Sequence, residues 1–174
     1  GNGQAYCGND PINCVDPFGE EKVIIFNPFG LSIGKTDKFK KDMKQRKNKV
    51  KESLPDNPND FAKEIEGFDT VIIFGHAGPG MKGFRLPTYN PLRGWAMDQL
   101  RLTGAEIIAA LKKLKKDGKS RPKSIYLLGC RQGPTAQAIL ALKDPDIVSV
   151  ISSNNNELWD IATGWYIYVL LSGF

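Results

Sequence analysis

Apolar residues fall along this chain in short blocks of two kinds. Val23–Phe26, Thr70–Phe74, Ser124–Leu128 and residues 147–151 are nearly continuous apolar runs rich in β-branched or aromatic residues. Runs of that length, bounded by polar residues or glycine, read as buried strands. Between them lie segments with helical spacing. In residues 36–54 the apolar positions are Phe39, Met43, Val50 and Leu54, with Thr36 or Asp37 as N-cap and Pro55 beyond the end. Asn59 or Asp60 can cap a short helix through Glu66, ended by Gly67. Thr103-Gly-Ala-Glu106 is a capping-box pattern. It opens a helix with Ile107, Ile108, Leu111 and Leu114 on one face, and Gly118 ends it. Gly133-Pro134 starts another helix through about Leu142. Residues 161–171 are apolar and aromatic, as in a closing strand or hairpin arm. The alternation predicts an α/β fold: a mostly parallel sheet flanked by helices. Residues 77–102 break the pattern with Gly78, Pro79, Gly80, Gly83, Pro87, Pro91 and Gly94. A segment that long is either functional or contains a small hairpin. Its Phe84, Tyr89 and Trp95 either staple it to the domain or touch a substrate.

Composition narrows the function classes. The chain of 174 residues has a formal charge of +5, which permits an anionic partner without demanding one. Lys38, Lys40, Lys41, Lys44, Arg46, Lys47, Lys49 and Lys51 crowd residues 36–54. They read as the solvated face of an amphipathic helix. No aromatic platform is interleaved with them, which argues against nucleic acid as a partner. No uncharged apolar run is long enough to span a bilayer, and the first residues lack a basic-then-apolar signal pattern. Cys7 and Cys14 can pair and leave Cys130 over, or all three cysteines are reduced thiols. Neither a phosphate-cradling Gly-x-x-x-x-Gly-Lys-Ser/Thr loop nor a dinucleotide Gly-x-Gly-x-x-Gly occurs. One histidine and no Cys-x-x-Cys pair argue against zinc. No cofactor is expected.

Two of the strand blocks share a design. Thr70–Phe74 continues into Gly75-His76-Ala77-Gly78, and Ser124–Leu128 into Gly129-Cys130-Arg131-Gln132-Gly133. Each strand ends in glycine, then a reactive side chain, then more glycine. His76 is the single histidine of the chain. Open α/β sheets place their chemistry just outside the carboxyl ends of the strands. If these two strands are neighbours, thiol and imidazole face each other as nucleophile and base. The helix that begins at Gly133 favours the thiolate. His76 then protonates the leaving amine. The oxyanion needs backbone donors, for which the N–H groups of Cys130 and Gly78 are the candidates.

These blocks resemble the caspase-like cysteine peptidases, the family of caspases, gingipains, legumains and self-cleaving toxin peptidases. Gly129-Cys130-Arg131-Gln132-Gly133 is close to the signature Q-A-C-[RQG]-G of caspases, whose histidine lies about 50 residues upstream. Here His76 lies 54 residues before Cys130. The family has glycine directly after its histidine, whereas this chain has Ala77 and then Gly78. The resemblance covers roughly residues 21–155. It implies a caspase-like α/β/α sandwich and a Cys–His endopeptidase. It also implies that the pocket for the residue before the scissile bond lies around the nucleophile strand and the segment after the next one. That segment is Ser152-Ser-Asn-Asn-Asn-Glu-Leu-Trp-Asp160. Ser152, Glu157 and Asp160 are therefore candidate substrate-binding residues, the two acids for a basic substrate side chain.

Residues 1–20 are dense in glycine, asparagine and proline, a turn-rich stretch with little to bury. With Tyr6, Asp10-Pro11-Ile12-Asn13 and Asp16-Pro17-Phe18-Gly19, they resemble the closing motif of Rhs/YD-repeat proteins. In that family a large shell of repeats ends at this motif and a variable toxin follows. The resemblance implies two parts: residues 1–20 as the end of an Rhs core and 21–174 as the toxin. It further implies a toxin secreted by a specialised delivery system and active in the cytoplasm of a target cell. The implied partners are the parent Rhs shell, a target-cell protein substrate and a cognate immunity protein. A nuclease or an ADP-ribosyltransferase delivered in the same way is the rival reading, and a non-catalytic binding module is a third.

Overall fold

The four apolar runs become neighbours. A computed structural model describes residues 22–26, 48–51, 54–55, 57–75, 77–78, 80–92, 94–129 and 131–152; of 74, 80, 85–90 and 94–101 it describes the backbone alone. Strands β1 (Val23–Phe26), β2 (Lys49–Lys51), β3 (Thr70–Phe74), β7 (Ser124–Leu128) and β8 (Ser149–Ser152) form one sheet in the order β2-β1-β3-β7-β8. Every pairing in it is parallel. The chain steps outward from β1 to β2, then reverses through β3 to β8. Taken over the parallel strands alone, this is one of the common doubly wound orders, and the reversal falls between β1 and β3.

Both faces of β1 and β3 are buried, which is why their sequences read as unbroken apolar runs rather than alternating ones, while on β7 Ser124 and Tyr126 are half-buried. On one face Ile24, Phe26, Val71, Ile73, Ile125 and Leu127 belong to a single core cluster. Three helices join that cluster: α1 (Pro58–Ile65), α2 (Gly104–Lys116) and α3 (Gly133–Leu140). On the other face Val23, Ile25 and Ile72 are buried as completely. Helix α1 presents Phe61 to Phe26 of β1, ring centroids 5.5 Å apart and tilted by 53°. Such a pair contributes about 1 kcal/mol beyond its area burial. Helix α2 buries Ile107, Ala110, Leu111 and Leu114. Its capping box forms as expected: the Glu106 N–H donates to Thr103 Oγ1 at 3.2 Å, and the Thr103 N–H donates to Glu106 Oε2 at 2.6 Å.

Residues 77–102 are the hairpin alternative. Strands β4 (Ala77–Gly78), β5 (Gly83–Asn90) and β6 (Gly94–Arg101) make a small antiparallel sheet, with a 3-10 turn at Gly80–Lys82. The β5–β6 register shifts between Leu86 and Thr88, where Pro87 has no N–H for a regular ladder. Phe84 is fully buried in the main core. Of the two readings for that aromatic, packing is the one realised.

Three expectations need correction. The helix of residues 36–54 does not reach its expected end, because Lys49–Lys51 is the edge strand β2, paired with Ile24–Phe26. Tertiary pairing overrides helix propensity here. Lys49 lies over the Phe68 ring at 5.4 Å and Lys51 pairs with Glu64 at 2.9 Å, so lysines cover an otherwise open sheet edge. Residues 36–47 lie outside the described residues. The cap of α1 is Asn57, not Asn59 or Asp60: Asn57 Oδ1 accepts from the Asp60 N–H at 3.0 Å. Pro58 fills the first helical position, where its missing N–H costs nothing. The last described strand spans 149–152 rather than 147–151. The expected element at 161–171 and the leader of residues 1–20 lie outside the described residues. Among the described residues no helix is long and apolar enough to cross a membrane.

Candidate active site

Strands β3 and β7 are direct neighbours, in register from Thr70↔Ser124 to Phe74↔Leu128. Both therefore end at one level of the sheet edge. The pairing continues one step further, with the Gly75 N–H donating to the Leu128 carbonyl at 3.2 Å. His76 and Cys130 are the next residue after Gly75 and after Gly129. Both lie outside the described residues, as do Glu157 and Asp160. The residues directly before and after His76 and Cys130 are described.

Gly129 sits where nothing larger fits. A Cβ there would stand 2.8 Å from the Gly75 carbonyl oxygen, from Ala77 Cβ and from Phe84 Cε1. The two glycine-terminated strand ends thus approach at backbone contact. Beyond Cys130 the chain turns sharply. Arg131 is exposed and adopts φ 54°, a left-handed conformation that costs a non-glycine residue about 1 kcal/mol. Helix α3 starts immediately after. Its N-cap residue, Gln132, makes no side-chain hydrogen bond to the helix's own first N–H groups.

The Gln132 side chain is instead turned across the site. Gln132 is fully buried. Its Nε2 donates to the carbonyl of Gly78 at 3.1 Å, and its Oε1 accepts from Thr135 Oγ1 at 3.2 Å. Gly78 is buried in β4, opposite Gly83. The link therefore joins the segment after β3 to the turn after β7. Gln132 is the residue that sequence reasoning missed. Its signal was available: a glutamine stood where a helix start prefers serine, threonine, aspartate or asparagine, so its side chain was free for other bonds.

Ser152, the third substrate-binding candidate, closes β8 and pairs with Leu127, one residue before the end of β7. It lies half-buried at the same sheet edge.

Charged pairs gather at the opposite edge. Arg121 clamps Asp144 with two bonds, Nε to Oδ2 at 2.9 Å and Nη2 to Oδ1 at 3.0 Å, and reaches Asp146 at 2.8 Å. The Arg121 hydrogen bonds hold the Asp144 carboxyl below its ordinary range, against the desolvation that would raise it. Asp144 in turn raises Arg121 further. A surface cleft of about 360 Å³ is bordered there by Asp69, Arg121, Lys123 and Asp146. Its charged walls pair with one another, Lys123 with Asp69 at 3.4 Å and Arg121 with Asp146. This is a brace at the start of β7 and β8 rather than a binding site. Among the described residues no three histidine, cysteine, aspartate or glutamate side chains converge as a metal site.

Comparison with protein-family models, with curated proteins and with solved structures finds no match to this chain.

Proposed function

We propose that this chain is the toxin part of an Rhs-type protein and acts as a Cys–His endopeptidase on proteins of the target cell. One observation carries the reading. The strand that leads to His76 and the strand that leads to Cys130 are parallel neighbours, in register to their last residues. Their next residues touch, Gly75 donating to Leu128 and Gly129 packing on Gly75. The sequence pattern required this adjacency and had no means of enforcing it. His76 also follows β3, which borders the reversal of strand order where such sheets bind ligands, and Cys130 follows the next strand, β7.

In this reading the Cys130 thiolate attacks the scissile carbonyl carbon. A C–S bond forms and the carbonyl π pair moves onto oxygen. Backbone N–H groups of Cys130 and Gly78 are the candidates to hold that oxyanion. Collapse breaks the C–N bond, and His76 protonates the departing amine. Water, deprotonated by His76, then hydrolyses the thioester and restores the thiol. The start of α3, two residues beyond Arg131, supports thiolate formation through its positive end. Ser152, Glu157 and Asp160 remain the candidates for substrate contact. Residues 1–20 are read as the end of the Rhs core, the immunity protein as the partner that protects the producer, and the target-cell cytoplasm as the place of action.

The test is N-terminal mapping of protein fragments in cells expressing the chain, compared with cells expressing Cys130→Ala or His76→Ala. We expect new protein termini with the unaltered chain, and their loss in both variants at unchanged folding. Equal fragment patterns in all three would reject the peptidase. Depletion of RNA, DNA or NAD without new protein termini would point to the nuclease or ADP-ribosyltransferase instead.

A further inference from the structure

We propose that Gln132 is a positioning residue for the Cys130–His76 reaction, setting the distance between thiol and imidazole through its bond to Gly78. The inference rests on the peptidase reading. It starts from an amide that is fully buried yet caps none of the first N–H groups of its own helix. A buried amide without partners is costly, and a helix start gains about 1 kcal/mol from a capping side chain. Gln132 meets the first demand and forgoes the second. Its nitrogen is committed to Gly78, two residues past His76, and its oxygen to Thr135 on α3. Gln132 itself stands two residues past Cys130. The amide therefore spans the two segments that carry the reacting groups, symmetrically placed beyond each.

The polarity of the link is fixed by chemistry. A peptide carbonyl can only accept, so the Gly78 oxygen selects the NH₂ end of the amide. The hydroxyl of Thr135 then supplies the proton that the other end needs. Thr135 is fully buried and belongs to α3, so the amide is anchored to the domain on one side and holds the β4 segment on the other. Registry of β3 with β7 sets the strand ends. It does not by itself set the residues after them, because Arg131 turns the chain away directly beyond Cys130. The Gln132–Gly78 bond is a side-chain link that crosses from one segment to the other past both reactive residues, where α3 also packs on the Gly80–Lys82 turn. Misplacing reacting groups by about 1 Å costs on the order of 100-fold in rate.

The experiment reads the pair itself, using iodoacetamide on the full chain and mass spectrometry to follow Cys130 apart from Cys7 and Cys14. The unaltered chain should alkylate well below the ordinary thiol range, because imidazolium stabilises the thiolate. His76→Ala should lose that low-pH reactivity. Gln132→Leu, which keeps the volume and removes the amide, should follow His76→Ala, with alkylation near pH 6.5 reduced roughly tenfold or more. Gln132→Glu adds an internal control. Its carboxyl can donate to Gly78 while protonated and repels that carbonyl once ionised, so its Cys130 reactivity should match the unaltered chain in acid and fall behind as pH rises. This comparison is made within one sample and holds even if Gln132→Leu does not fold. A lowered melting point in Gln132→Leu with an unchanged pH profile would overturn the inference and leave the peptidase standing. So would a Gln132→Glu profile parallel to the unaltered chain at every pH. An unaltered chain that alkylates no differently from His76→Ala would remove the peptidase reading and this inference together.

Discussion

Gly129 bears a tight demand at the candidate site. Its missing side chain lets backbone meet backbone where two strands end, and neither the Gly75 carbonyl nor the Phe84 ring can retreat without moving a strand or the hairpin. Gly129→Ala should therefore lower the unfolding free energy by about 2 kcal/mol, an overpacking cost. Urea titration measures it, and an unchanged midpoint would show that the strand ends have slack. That glycine was legible in sequence as a place of close approach. Gln132 could be read as a poor cap, but not as a link to Gly78, which lies 54 residues away, because nothing in local spacing shows that two loops meet. His76 and Cys130 were candidates for the opposite reason: each is preceded directly by an apolar run and a glycine.

Elements were legible where burial alone decides them. The runs at β1 and β3 are buried on both faces and that at β7 on one, and the capping box at Thr103 marked the start of α2. Strand β2 was hidden because it is an edge among the described strands: Val50 is exposed, and its lysines spell a polar helix face until β1 pairs with it. The ion-pair brace was equally hidden, since Arg121 and Asp144 meet only after α3 has crossed over. Asp144 has its pKa lowered in the fold by the Arg121 hydrogen bonds. The stability it confers is thus present above its unfolded pKa, about 3.9, and is lost as pH falls through the lower folded value. Arg121→Met leaves the Asp144 carboxylate, whose side chain is 4% exposed, with Lys115 at 3.7 Å and the Asp146 N–H at 3.1 Å, and should cost about 1–2 kcal/mol near neutral pH. The deficit should shrink as pH drops below about 4, where protonated Asp144 no longer needs a cation. Urea midpoints at several pH values read this directly, and a deficit constant through acid would assign the cost to lost packing instead.

At the scale of the molecule, the described sheet begins with Lys22, whose N–H donates to Asp69 Oδ2 at 3.0 Å and whose carbonyl accepts from Asp69 and Thr70. If residues 1–20 end an Rhs core, a chain starting at residue 21 keeps all of these bonds. Its melting midpoint should then stay within about 1 °C of the full chain, less than the 2–4 °C expected for each kcal/mol lost in a domain of this size. A larger fall would mean that the leader is part of the folded unit. The order of the sheet has a further consequence, in time rather than in space. Neighbouring strands pair residues 25 to 54 positions apart, so no pairing in this sheet is local. Sheets built from such distant contacts close late, after the chain has met the entropy of its long loops. On the peptidase reading, a nascent or threaded chain holds a thiol and an imidazole that have not yet met. Its activity would begin only when the centre of the sheet is complete, which makes folding in the recipient the clock of the toxin.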